Sequence, residues 1–352
     1  MSLRLKSLSE QVMVVAGASS GIGLATARRA ARRGARVMLA ARNGPVLREI
    51  SAELAGEGCD VDHVVVDVGD AAAVVAAAQA AVDRFGRIDT WAHVAGVAIY
   101  APLLETPAAE HERLFRTNYW GVVNAAQAAV PILARQGGAF VVVGSVVADL
   151  GTPILGAYAA SKHAVKGYVD SLRIELLAAR TPVSVTLIKP SGISSPLAEH
   201  AANHMDRAAK VPPPAYAPET VADAILHAAQ HPRREIVVGG AGALQILGEK
   251  TAPRLLDRVS GLIIPLLKDR RRPPGGDSNL WDAEMDGRVT SPHEHGRRPS
   301  AYTAATFHRP AALALGALGL GLLAAATLIG PAKRSAPPTR PRRGPSAPRS
   351  SG

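Results

Sequence analysis

A single cysteine, Cys59, cannot form an internal disulfide, which excludes a disulfide-stapled fold and suits a reducing compartment. Neither cysteine nor histidine recurs at structural-zinc spacing, so no metal site is expected. Aromatic residues make up only 4% of the chain, so its core must be built from Ala, Val, Leu and Ile, which favours a parallel sheet covered by helices. No zinc-finger, helix-turn-helix or aromatic-basic pattern accompanies the formal charge of +11, which argues against a nucleic-acid partner. Residues 1–10 have no separate apolar stretch with a cleavage site, so no secretory signal is expected.

Two further absences lie near the C-terminal end. Residues 331–352 contain no acidic side chain, while Lys333, Arg334, Arg340, Arg342, Arg343 and Arg349 are basic. Much of the net charge is therefore a property of this tail, read either as a solvated disordered segment or as one drawn to anionic lipid. Residues 311–330 carry no charge at all, and twenty such residues match the span of a bilayer. Their Ala, Gly and Leu content is only weakly apolar, so the alternatives are a membrane helix, a helix packed on protein and an apolar tail. A single span would send the basic tail away from the cytosol, against the positive-inside tendency, which a re-entrant or surface-lying helix avoids.

What is present is an alternation. The 352 residues suit one large α/β domain of roughly 250 residues with an appendage. Residues 11–16 form a short β-rich run, followed by a glycine-rich turn, an Ala/Arg helix pattern and a second strand at 36–41. The unit repeats with strands at 61–67 and 88–94 around a helix at 71–85. A long helix is predicted over 110–134, a strand over 139–144, a helix over 158–179 and a strand over 183–188. A helix at 220–230 and a last strand at 235–238 complete the pattern. Such alternation predicts a doubly wound parallel sheet of Rossmann type, an α/β fold in one catalytic domain with a C-terminal extension.

Residues 190–218 lack periodicity and contain the triplet Pro212, Pro213 and Pro214, so they read as a mobile segment over the site. The domain is expected to span residues 1–240. Residues 241–310 then read as an amphipathic segment and a polar linker, 311–330 as the membrane-associating stretch and 331–352 as the basic tail.

The first turn has glycines at Gly17, Gly21 and Gly23 between a strand and a helix. Gly17 permits the tight turn, Gly21 lets backbone approach a pyrophosphate, and Gly23 allows close helix packing. The spacing differs from the G-x-G-x-x-G fingerprint, and an ordinary glycine-rich turn is the competing reading. At the end of the second strand stands Ala40-Ala41-Arg42-Asn43, with no carboxylate to repel a ribose 2′-phosphate. Arg42 can pair with such a phosphate, so NADP(H) is expected over NAD(H); the alternative is a solvated surface arginine. Tyr158 and Lys162, four residues apart, share a helix face. A tyrosine is a poor base near its ordinary pKa of about 10, and a neighbouring cation would favour the phenolate. Ser145, at the end of an apolar strand, could polarise a carbonyl.

These residues, in this order and spacing, resemble the short-chain dehydrogenase/reductase family over about residues 8–240. The Gly turn, Asp67-Val68, Asn118, Ser145, the Tyr158/Lys162 pair and residues 190–195 carry the resemblance. It implies an oxidoreductase interconverting a carbonyl and a secondary alcohol with a catalytic tetrad of Asn118, Ser145, Tyr158 and Lys162. Tyr158 would exchange the proton, Ser145 hold the carbonyl, Lys162 bind the nicotinamide ribose, and Asn118 hold a relay water. Cofactor contacts are implied for Gly17, Ser19, Ser20, Gly21, Ile22, Gly23, Arg42, Asp67, Val68, Ala95, Gly96, Tyr158, Lys162, Pro190 and Ile193.

Four positions depart from the family's pattern. Ala16 replaces a Thr, His93-Val94 replaces two Asn, and Ser191 replaces the Gly after Pro190. His93 is read as a structural histidine with its hydrogen bonds satisfied. The competing functions are a non-catalytic NADP(H)-binding scaffold and an epimerase or dehydratase on the same fold. Leu197, Met205, Val211 and Tyr216 suggest an apolar small-molecule substrate. Membrane lipid is an expected partner through residues 311–330, a cytoplasmic catalytic domain is expected, and a homo-oligomer is left open.

Overall fold

The computed structural model describes residues 3–275, 278–283, 287–294, 296, 297 and 300–307. Seven parallel strands form the central sheet: β1 (Val12–Ala16), β2 (Arg36–Ala41), β3 (Val61–Val65), β4 (Thr90–His93), β5 (Gly138–Val143), β6 (Val183–Pro190) and β7 (Glu235–Val238). Their spatial order is β7-β6-β5-β4-β1-β2-β3. Every residue of β1, β5 and β6 is buried; β1 and β5 accordingly read as continuous apolar runs with no polar face, while β6 also buries Ser184, Thr186 and Lys189.

Helices cover both faces. On one side α1 (Gly21–Ala31), α2 (Gly44–Gly56) and α7 (Pro218–Ala228) pack Leu24, Leu47, Leu54 and Ile225 against the sheet. On the other, α3 (Ala71–Phe85), α5 (Gly121–Ala134) and α6 (Gly156–Ala178) bury Ala77, Val122, Val165 and Val169. Local chemistry sets the boundaries of α3. Asp70 accepts from the amides of Ala72 and Ala73 at its start, and Gly86 ends it in the left-handed region at φ +82°. Fully buried Leu54 contributes about 1.5–3 kcal/mol by apolar burial, and its truncation to Ala would cost about 2–5 kcal/mol.

The helix expected over 110–134 is interrupted. Helix α4 (Ala108–Phe115) leads into a π turn at Arg116–Trp120 before α5 resumes the α-helical pattern. The wider turn carries Asn118, whose amide bonds both backbone groups of Val97.

The compact unit also runs beyond the expected boundary near Gly240, as far as Phe307. Helices α8 (Gly240–Thr251), α9 (Pro253–Ser260) and α10 (Ala301–Phe307) belong to it. The described residues between 278 and 297 form a strap along the domain, where a linker was expected. Ser291 N–H donates to Ser194 O at 3.0 Å, and Arg297 N–H to Ala215 O at 3.0 Å. The contacts are made by backbone, so the polar sequence needs no periodicity to pack.

Among the described residues no helix is long and apolar enough to cross a membrane. The stretch at 311–330 and the basic tail lie outside the described residues.

Candidate active site

The sheet order reverses direction around β1, whose neighbours are β2 and β4, and a crevice opens where strands diverge at their C-terminal ends. One cavity of about 490 Å³ occupies this place. It runs from the glycine turn to the apolar side chains of the C-terminal helices.

The turn after β1 is held by Gly17 N–H, which donates to Ala40 O at 2.7 Å. Gly17 has φ +92°, and a Cβ there would stand 2.6 Å from Ala95 N. A Cβ on Gly23 would meet Gly17 O at 1.9 Å. The turn therefore has room for backbone alone, and Gly17, Ser19, Ser20, Gly21, Ile22 and Gly23 all border the cavity. Despite the altered sequence, Val94 and Ala95 N–H groups both donate to Ala16 O at 2.8 Å, which keeps the backbone of 95–96 against the turn. Ala95, Gly96, Asp67, Val68, Pro190 and Ile193 line the same cavity. Such a glycine cradle, with helix α1 beginning at its far side, fits a dinucleotide's pyrophosphate.

At the other end of this groove the tetrad residues converge from three elements. Ser145 follows β5, and its Oγ accepts from Val147 N–H at 3.3 Å and is hydrogen-bonded to Tyr158. Tyr158 and Lys162 both lie on α6, and the Lys162 Nζ is 5.6 Å from the Tyr158 ring centroid. Asn118 Oδ1 accepts from Val97 N–H at 2.9 Å, while its Nδ2 donates to Val97 O and Ser161 Oγ, each at 3.0 Å. Ser145, Tyr158 and Lys162 border the cavity; Asn118 stands one layer behind them.

Burial governs their proton affinities. Tyr158 is pushed up to about 12 by burial, with the Ser145 hydrogen bond acting in the opposite sense. Lys162 is pulled down to about 8 by burial. The lowered tyrosine expected from the lysine's spacing is not found: desolvation of the phenol governs, opposed by the Ser145 hydrogen bond. Lys162 gives its hydrogen bond to the Val143 carbonyl at 3.0 Å.

His93 differs from its reading as a satisfied histidine. It is buried, and neither ring nitrogen has a hydrogen-bond partner among the described residues. Burial, reinforced by the Lys162 charge, lowers it to about 3 and keeps it neutral.

Arg42 borders the cavity but is not a freely solvated side chain. Its guanidinium donates to the carbonyls of Trp281 at 2.9 Å and Asp282 at 3.4 Å, and also to that of Asn279. Asp67 has Oδ1 accepting from Gly69 N–H at 2.9 Å and Oδ2 from Arg113 at 2.8 Å. Those bonds, with the Arg113 and Arg42 charges, hold its carboxyl below the usual range despite the opposing effect of burial.

Apolar side chains line the remaining space, among them Tyr100, Leu150, Leu155, Leu197, Val211 and Ile263. Of the residues expected near substrate, Leu197 and Val211 border the cavity, whereas Met205 packs in the same apolar cluster without bordering the cavity and Tyr216 bridges to Ile193. Sequence reasoning missed Asn279 and Ala283, which the strap brings to the cavity wall. Nothing in the composition of that polar stretch signals the contact.

Comparison with known proteins follows the same outline. A family model described as short chain dehydrogenase matches residues 11–206. The uncharacterized oxidoreductase YxnA of Bacillus subtilis is 40% identical over 330 residues, covering 92% of each chain. The 1-deoxy-11-beta-hydroxypentalenate dehydrogenase of Streptomyces avermitilis is 39% identical over 196 residues, 54% of this chain and 71% of that protein. A Burkholderia cenocepacia short chain dehydrogenase solved with NADP aligns at TM-score 0.60 and 26% identity, over 75% of this chain and all of its own. A Burkholderia phymatum short chain dehydrogenase/reductase solved with NAD gives TM-score 0.61 at 26% identity, over 77% of this chain and 100% of its own.

Proposed function

Since the chain belongs to the short-chain dehydrogenase/reductase family, and is an oxidoreductase acting on CH–OH groups with a nicotinamide cofactor, we propose that it is NADP(H)-dependent and acts on an apolar ketone or secondary alcohol. The observation that carries this reading is a single cavity. The glycine turn and Arg42 border one end, Ser145, Tyr158 and Lys162 the middle, and apolar side chains the other end.

When bound, the cofactor supplies or accepts hydride at the nicotinamide C4. The protein's task is to orient and to move a proton. The glycine turn would hold the pyrophosphate, and Ala95, Gly96, Pro190 and Ile193 would flank the nicotinamide half. Ser145 would donate its hydroxyl hydrogen to the substrate oxygen. Tyr158, protonated at neutral pH because its affinity is raised to about 12, would give its phenolic proton to that oxygen in the reducing direction. Lys162, charged below about 8, would place positive charge beside the ribose and the phenol. Asn118 would brace the Val97 backbone and the helix bearing Ser161.

Preference for NADP(H) rests on Arg42 and on the missing carboxylate at the end of β2. An apolar substrate is favoured by Leu150, Leu155, Val211 and Ile263. The domain is assigned to the cytosol, where NADP(H) is supplied, with lipid attachment through residues 311–330 as a sequence-based part of the proposal. Membrane fractionation of the full chain tests the attachment, and recovery entirely in the soluble fraction would remove it. An NADPH-oxidation screen with hydrophobic ketones and aldehydes tests the activity. Turnover with NADPH on at least one is expected, and turnover only with NADH would reverse the cofactor assignment.

A further inference from the structure

The strap between residues 278 and 297 is fastened along the cofactor end of the cavity by a series of independent contacts. Leu280 is 1% exposed and packs with Val97, Ile99 and Leu114. Asn279 N–H donates to His200 O at 2.7 Å, and Arg113 Nε to Leu280 O at 2.8 Å. Gly21 N–H, at the start of α1, donates to Arg288 O at 2.8 Å. With the Arg42 guanidinium on the carbonyls of Asn279, Trp281 and Asp282, the backbone at Asn279 is held from several sides.

Asn279 is one of the residues that border the cavity. Its Oδ1 is buried and has no hydrogen-bond partner among the described residues. A buried amide oxygen left without a donor is costly, and a fixed backbone denies it easy relief. It shares the cavity wall with Arg42, whose guanidinium meets its carbonyl at the end of β2, and with Asp67 beyond β3. The family-type acceptor at this end, Asp67, already has one bond on each oxygen.

We infer that Asn279 is a cofactor-binding residue contributed by the C-terminal strap, its amide oxygen accepting an N–H or O–H from the adenosine half of the dinucleotide. This rests on the nicotinamide-cofactor reading above. It makes the strap the fourth wall of the adenosine site, outside the segment that matches the family model. The same contacts couple Asn279 to Arg42, so one segment would serve both the nucleoside and the 2′-phosphate.

The test is equilibrium binding to the full chain, with NADPH, ADP-ribose and reduced nicotinamide mononucleotide as probes. Asn279→Leu is close in shape and removes the unpartnered oxygen, so it is expected to fold with an unchanged or higher Tm; Asn279→Ala is the second variant. Both are expected to weaken NADPH and ADP-ribose about tenfold, the size of one lost hydrogen bond to an oriented donor, and to leave the mononucleotide unchanged. Wild-type affinity for ADP-ribose in both variants would overturn the assignment, as would an equal loss for the mononucleotide, which would mark a general loosening of the strap. Failure of the wild-type protein to bind NADPH, NADH or ADP-ribose would sink the cofactor reading itself.

Discussion

The Lys162 ammonium stands 5.6 Å from the centre of the Tyr158 ring and donates to the Val143 carbonyl at 3.0 Å. The two groups therefore share a buried space while the ammonium's hydrogen bond is made to the sheet. Burial acts on them in opposite directions, raising the tyrosine to about 12 and lowering the lysine to about 8. Each is driven toward its neutral form.

That arrangement predicts a pH dependence of stability in the cofactor-free protein. Lys162 has a folded value near 8 against 10.5 for an ordinary lysine, so between those limits the unfolded chain binds more protons and stability rises with pH. Tyr158 works in the other sense above its ordinary value of 10, where the unfolded phenol loses a proton that the folded one retains. Urea denaturation should show wild type gaining on Lys162→Met between about pH 8 and 10, by at most about 1.4 kcal/mol per pH unit. Parallel curves for the two proteins would contradict the burial argument.

Arg42 should discriminate between cofactors. Removing it with Arg42→Ala costs the strap three carbonyl contacts, which affects any dinucleotide, and costs the 2′-phosphate its charged partner, which affects NADPH alone. The Kd for NADPH is expected to rise about ten- to a hundredfold more than that for NADH. Equal losses would assign Arg42 to holding the strap only.

His93 provides a contrast with a catalytic histidine. Its two ring nitrogens are buried without partners among the described residues and the ring is neutral, so His93→Leu removes polar atoms that make no hydrogen bond there. Turnover within about twofold of wild type and an unchanged or higher Tm are expected. Loss of turnover with retained fold would make His93 part of the chemistry.

Gly23→Ala should act through backbone contact. The new Cβ would fall 1.9 Å from Gly17 O and 2.6 Å from its carbonyl carbon, so the turn must move. NADPH affinity is expected to drop more than tenfold, measured by quenching or calorimetry, whereas an unaltered Kd would show that the turn does not hold the pyrophosphate.

The centre of the sheet was readable because its strands are buried on both faces and so appear as runs such as Val12–Ala16 and Gly138–Val143. Helix α3 was readable to both ends because Asp70 and Gly86 are chemical stops. The π turn at Arg116–Trp120 was not, since one extra residue in a helical turn leaves no compositional mark. The glycine spacing and the Tyr158/Lys162 pair were visible because both lie within single local elements. The strap was invisible for the opposite reason. It meets Arg42, Arg113 and Gly21 through its own carbonyls, which every residue type possesses. The proton affinity of Tyr158 was also out of reach, because it depends on how deeply α6 is buried.

Tyr158→Phe tests proton transfer by Tyr158 coupled to hydride transfer from NADPH with the least disturbance. Turnover of NADPH with an accepted ketone and the Kd for NADPH should be measured on the same two proteins. The variant is expected to lose turnover by at least about 100-fold, the lower range for a positioned general acid, while its NADPH Kd stays within about threefold. A variant that reduces the ketone at the wild-type rate would contradict it.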